Sequence, residues 1–154
     1  MRERWLPIGV LAGGLFAVNV VARLVSRFGF EDDTALQDKV SLAMFAVIGV
    51  VLGTLAFRRG RHQPVPRWFG EIALAVLISM ALTVLVGPFV SGSYPFAEGA
   101  GAFFAQIWLY LGVAGLGTLL GYLLLVALGG DYRSESLRRF AEAKQSKPRR
   151  PVRR

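Results

Sequence analysis

Long uncharged blocks separated by short charged ones dominate the chain. Trp5–Ala22 and Val40–Phe57 each run 18 residues without a charge; Ile72–Ala97 runs 26 and Gly99–Gly130 runs 32, parted only by Glu98. A helix rises about 1.5 Å per residue, so about 20 mainly apolar residues cross about 30 Å of hydrocarbon. Lipid offers backbone amides no partner outside the segment, so each block is read as a helix. The alternating period of a barrel strand is absent. The pattern therefore predicts an all-α integral membrane bundle over residues 1–130. Its four transmembrane helices fall at about 5–27, 35–57, 68–90 and 99–128, with a separate tail over 131–154.

Polar punctuation sets the helix ends. Thr34-Ala35-Leu36-Gln37 has the spacing of a capping box, which starts the second helix near Ala35. Gly129-Gly130 followed by Asp131 stops the fourth. Pro88 kinks or ends the third, and Pro7 is tolerated in the opening turn of the first. The first block is longer than the roughly 7–15 apolar residues of a signal peptide and is expected to stay in the chain. Arg4-Trp5 and Arg67-Trp68 open the two hairpins alike, too short a likeness to establish a repeat.

Charge then orients the bundle. Arg2 and Arg4 precede the first span, and Arg58, Arg59, Arg61 and Arg67 lie between the second and third. Nine more basic residues follow Asp131. The opposite side holds Arg23, Arg27 and Lys39 against Glu31, Asp32, Asp33, Asp38 and Glu98. Cytoplasmic segments retain Lys and Arg, so both termini are expected in the cytoplasm. Trp5, Trp68 and Tyr132 are expected at the inner interface and Phe28, Phe30, Tyr94 and Phe96 at the outer one, while Trp108 and Tyr122 pack inside.

Composition agrees with a membrane class. Apolar residues make up 54% of 154, mean hydropathy is +0.49, and charged residues are 18%, below the roughly 25% of soluble domains. The lack of cysteine excludes disulfides, thiolate metal sites and cysteine nucleophiles. The single histidine, His62, sits in a basic segment without a catalytic partner, so an exposed loop position is expected. Arginine outnumbers lysine 15 to 3 amid abundant Ala, Gly, Val and Leu, a usage common in GC-rich bacteria. It points to a bacterial plasma membrane.

Arg23 is the most informative polar residue. Asn19, Arg23 and Arg27 recur every four residues and share one helical face. Arg23 either snorkels to the outer headgroups, or pairs with Asp33 or Asp38, or lines an outward-facing pocket. Counted inward from the outer boundary, Asn19, Arg23, Ser41, Thr83 and Gln106 all fall in the outer half, and they are the candidate pocket residues. Gly9–Gly13, Gly49–Gly53 and Gly117–Gly121 have the spacing that lets helices approach closely, here expected to pack the helices of one chain. Glu71 is expected as a solvated carboxylate at the start of the third helix. No span carries a deep carboxylate, which argues against proton-driven transport. The acidic run Glu31-Asp32-Asp33 is read as solvated loop charge in preference to a cation site.

The tail is expected to form a short amphipathic helix, with Tyr132, Leu137 and Phe140 at the membrane surface, and then a disordered basic stretch. Arg58, Arg59, Arg61, Arg149, Arg150, Arg153 and Arg154 are candidate contacts for anionic lipid headgroups. Nucleic acid is a weak candidate partner, and no cofactor is expected. Length and span count resemble those of small multidrug exporters and fluoride channels. The exporters' deep glutamate in the first span is missing, and no family is assigned. The expected role is a non-catalytic accessory or assembly subunit, partnered by other membrane proteins or by itself. The alternative is a small oligomeric channel or transporter with Arg23 in its pocket.

Overall fold

In a computed structural model of the chain, residues 2–29, 34–97 and 99–145 are described, and every regular element among them is a helix. They are α1 (Arg2–Gly29), α2 (Thr34–His62), α3 (Val65–Leu85), α4 (Gly87–Val90), α5 (Ala100–Ala127) and α6 (Tyr132–Gln145). α1, α2, α3 and α5 are long and apolar enough to cross a membrane. The fold is an all-helical four-span bundle.

Several boundaries differ from those expected. α1 begins at Arg2, which puts Pro7 inside the helix at the cost of one backbone bond. α2 continues through the segment expected as a loop and ends at His62, which is exposed at the helix terminus. Arginine is a good helix former, and Arg58, Arg59 and Arg61 do not interrupt the ladder. Pro64 does: it takes φ −65 and ψ 144, disfavours helix at Gln63, and starts α3 at once. The connection shrinks to Gln63-Pro64.

Pro88 breaks the third span. α3 stops at Leu85, Val86 caps it, and Gly87–Val90 form one separate turn. The Ser91 and Ser93 hydroxyls then donate to Pro88 O at 3.0 and 3.2 Å, fixing the loop that follows. α5 ends in a left-handed Gly129 at φ 65. Gly130 N–H reaches Leu125 O and Gly129 N–H reaches Val126 O, which closes the helix by a Schellman motif. Asp131 then caps α6, accepting from Ser134 N–H at 3.3 Å and from the Ser134 hydroxyl.

α1 and α3 run one way, α2 and α5 the other. The closest pairings are parallel, α2 with α5 and α1 with α3, and α1 and α5 stand at opposite corners without contact among the described residues. Glycines draw α2 onto α5. A Cβ on Gly117 would lie 2.5 Å from Gly49 O, one on Gly53 2.9 Å from Gly117 O, and one on Gly121 would meet the Gly53 backbone. A Cβ on Gly9 or Gly13 would meet nothing within 4 Å, so among the described residues the α1 pair brings no helix into close contact.

Around these contacts Leu15, Met44, Ile48, Leu52, Trp68, Ile72 and Tyr110 form the core. Trp68 is 2% exposed and packs against Tyr122, their ring centroids 5.6 Å apart, so it is a core residue and no interface marker. Trp5 is 62% exposed, and the shared Arg-Trp pair therefore stands in two different settings. Trp108, expected to pack inside, is 74% exposed and faces outward from α5.

One end of the bundle gathers Arg23, Arg27, Gln37, Asp38, Ser91 and Gln106. The other end is tied by an Arg59–Glu71 ion pair at 2.7 Å. Arg61 approaches Glu135 at 3.8 Å, which places α6 at this second end.

Candidate functional site

Local sequence puts a polar cleft at the Arg23 end. Asn19 and Arg23 are one helical turn apart on α1, and Arg23 Nε donates to Asn19 Oδ1 at 3.0 Å. Asn19, only 2% exposed, donates in turn to Met44 Sδ at 3.1 Å. Sulfur is a weak acceptor, so this contact positions the amide more than it binds it. Arg23 Nη1 also donates to Ser91 Oγ at 3.2 Å.

The break at Pro88 makes that last bond available. It turns the chain so that Ser91 returns toward α1, and Gly87 leaves room beneath the guanidinium. A Cβ on Gly87 would sit 2.9 Å from Arg23 Nε. Arg27, one turn further out, donates to Val90 O at 3.0 Å and stays exposed.

A cleft of about 780 Å³ opens between α1, α2 and α5, where α1 and α5 fail to meet. Asn19, Arg23, Ser41 and Gln106 line it, so four of the five expected residues share one space. Ser26, Arg27, Gln37, Asp38 and Ser91 complete its polar wall. A second cavity of about 240 Å³ adjoins it through Arg23 and Gln106 and is bounded by Pro88, Ser93 and Tyr94. Arg23 thus stands between two polar spaces.

Thr83 does not line the cleft. It lies one turn deeper on α3 than Gly87, is 1% exposed, and its Oγ1 has no hydrogen-bond partner among the described residues. Matching depth placed it in the candidate set, but its angle on α3 turns it into the bundle. Ser79, a turn deeper still, shares a 2.8 Å hydrogen bond with the Tyr110 hydroxyl, closing the interior below.

Asp38, the carboxylate on the α2 wall, makes no ion pair with a described residue. Arg27 and Asp38 are the expected face-mate and candidate partner of Arg23, whereas Ser26 is an addition to the expected set. Ser26 and Arg27 follow Arg23 at helical spacing, and Asp38 lies in the first turns of α2 at the same depth.

At the opposite end, the expected lipid contacts divide. Arg58 is exposed and unpaired among the described residues. Arg59 is committed to Glu71, both side chains about one quarter exposed at 24% and 23%. Glu71 is therefore a paired, half-buried carboxylate where a solvated one was expected. Arg61 keeps an exposed head near Glu135. Arg149, Arg150, Arg153 and Arg154 lie outside the described residues, as do Phe30, Glu31, Asp32, Asp33 and Glu98. Among the described residues no group of three or more His, Cys, Asp or Glu is placed to hold a metal ion. No protein-family model, no curated protein and no solved structure matches this chain.

Proposed function

We propose that this chain is a non-catalytic accessory subunit of a bacterial plasma membrane, with both termini cytoplasmic, that holds an anionic or amphipathic ligand in the Arg23 cleft. The convergence of Arg23, Asn19, Ser41 and Gln106 on one space supports the reading. Arg23 is half-buried and held by Asn19 and Ser91. A cation pre-positioned in this way loses little conformational freedom when an anion arrives. Orientation rests on charge: fifteen of the eighteen Lys and Arg residues fall on the side of the termini.

The absence of native cysteine makes the test direct. Ser41→Cys should react with a membrane-impermeant maleimide in intact cells, and Arg58→Cys only after permeabilisation. In detergent, inorganic phosphate or a short-chain glycerophospholipid should slow labelling at Ser41→Cys, and Arg23→Ala should abolish that protection. If neither compound protects, the cleft does not bind anions.

The alternative is a small oligomeric channel or transporter; a path within one chain would have to cross the layer below the cleft, where Leu15, Ile48 and Tyr110 are almost fully buried. Reconstituted protein is therefore expected to carry no anion flux in liposomes. Flux that disappears in Arg23→Ala would replace binding with transport.

A further inference from the structure

At the Arg59 end the chain leaves its apolar stretch abruptly. Leu124 and Leu128, 58% and 68% exposed, face outward at the close of α5. The left-handed Gly129 and the Asp131 cap follow at once, and α6 begins at Tyr132, four residues beyond Leu128. Four residues reach at most about 14 Å, which keeps the start of α6 close to the lipid headgroups.

Within α6, charge and apolarity are sorted by face. Arg133, Leu137, Phe140 and Lys144 follow one another at helical spacing and share one side. Glu135 and Glu142 share the opposite side. Glu135 is turned to the bundle, where it meets Arg61 of α2 at 3.8 Å, so the basic and apolar face is turned away from α2. On that face Leu137 and Phe140 are 62% and 69% exposed. Arg133 and Lys144 are exposed and form no ion pair among the described residues. Tyr132 lies off this face.

In water such a face leaves apolar surface bare beside its cations. At a bilayer surface both find a place, because apolar side chains enter the acyl boundary while basic heads reach the phosphates. Charge selects an anionic surface. The charged residues after Gln145 are Lys147, Arg149, Arg150, Arg153 and Arg154, so the sequence beyond α6 adds positive charge and cancels none.

We infer that α6 is an interfacial helix that docks on anionic phospholipid headgroups at the Arg59 end of the bundle. Leu137 and Phe140 enter the acyl boundary, Arg133 and Lys144 lie on lipid phosphates, and the Arg61–Glu135 contact keeps the acidic face out of the lipid. An acidic protein would also complement the charges. The bilayer is favoured because α6 is tethered beside the lipid that already surrounds α5, and Leu137 and Phe140 suit its acyl edge. Neither the Arg23 cleft nor the side taken by the termini enters this assignment.

The full chain, which has no cysteine of its own, accepts a polarity-sensitive fluorophore at Leu137→Cys or at Glu142→Cys. Each labelled protein is reconstituted into vesicles of phosphatidylcholine alone or of phosphatidylcholine with phosphatidylglycerol, all carrying a shallow nitroxide-lipid quencher. With phosphatidylglycerol the Leu137 label should shift to the blue and be quenched, while the Glu142 label stays in water. A basic side chain near an anionic surface is worth about fivefold in binding. Arg133→Gln combined with Lys144→Gln should therefore lower the docked-to-free ratio about twenty-five-fold. Raising salt from about 0.1 M to about 1 M shortens the screening length to about 3 Å and should reduce quenching without any substitution on that face. Equal quenching of the Leu137 label in both kinds of vesicle would overturn the inference, as would quenching that the paired Gln substitutions leave unchanged. A Glu142 label quenched as strongly as the Leu137 label would overturn it too. A Leu137 label that stays in water in phosphatidylglycerol vesicles removes lipid as the occupant and leaves the face to an acidic protein.

Discussion

Thr83 carries its hydroxyl into the bundle interior one turn below Gly87, and no described residue bonds to it. A buried polar group left without a partner costs about 1–3 kcal/mol. Thr83→Val keeps the branched shape and removes the oxygen, so it is expected to raise thermal stability by roughly 1 kcal/mol in detergent. A melt monitored by circular dichroism reads this, and a lowered midpoint would show that a water or ligand uses the hydroxyl. The Arg59–Glu71 pair is the opposite case. Its 2.7 Å contact lies between exposed and buried limits, so Glu71→Gln should cost about 1–3 kcal/mol. What the sequence reveals at this scale is depth: counting inward from the outer boundary brought Asn19, Arg23, Ser41 and Gln106 to one level. It does not reveal angle, because the rotation of each helix about its axis follows from packing with its neighbours. Thr83 and Trp108 were misplaced for this reason, one turned in and the other out.

Helix pairing is where the glycines decide. Gly49, Gly53, Gly117 and Gly121 bring α2 and α5 into backbone contact, replacing the hydrophobic drive that lipid does not supply between helices. Gly117→Ala and Gly121→Ala put a methyl into backbone and are each expected to cost about 1–3 kcal/mol. Gly9→Ala and Gly13→Ala meet open space and are expected to be neutral or to stabilise by up to about 1 kcal/mol through helix propensity. Equal effects at all four positions, measured by thermal melts, would count against this packing. The spacing was legible in the sequence on three helices, but which pair is used was not, since spacing alone names no partner. A run of arginines resembles a loop by charge alone, but arginine favours helix and Arg59 pairs with Glu71, so α2 extends to His62. At α6, Ser134 bonds through its hydroxyl and amide hold the Asp131 carboxylate below its usual 3.8. A folded-state value below the unfolded one means the cap is fully effective above about 3.8 and is lost as pH falls through the lower folded value. Amide exchange at Ser134 should therefore lose protection in that acid window. Asp131→Ala should show weak protection at every pH, without the transition.

Across the whole molecule the glycine contact and the cleft follow from one geometry. α2 and α5 run parallel and meet backbone to backbone at Gly49–Gly117 and Gly53–Gly121, toward the Arg59 end. Toward the Arg23 end Ser41 and Phe45 of α2 and Ala105 and Leu109 of α5 line the cleft together with Asn19 and Arg23 of α1. The binding volume opens beside this pairing, with α1 supplying its remaining wall. Introduced cysteine pairs read this directly in a chain that has none of its own. A Cβ at Gly49 would stand 3.7 Å from Val113 Cγ1, the position a cysteine sulfur would take, so the two side chains are in direct contact. Gly49→Cys with Val113→Cys should therefore cross-link under mild oxidation and migrate faster on a denaturing gel. Ser41→Cys with Ala105→Cys, on opposite walls of the cleft, should resist a zero-length bond and yield only to a longer bis-maleimide. Efficient disulfide formation at the second pair would mean that the cleft closes in the membrane. The anion site would then have to open before it could bind, and slow, saturable labelling of Ser41→Cys would be its signature.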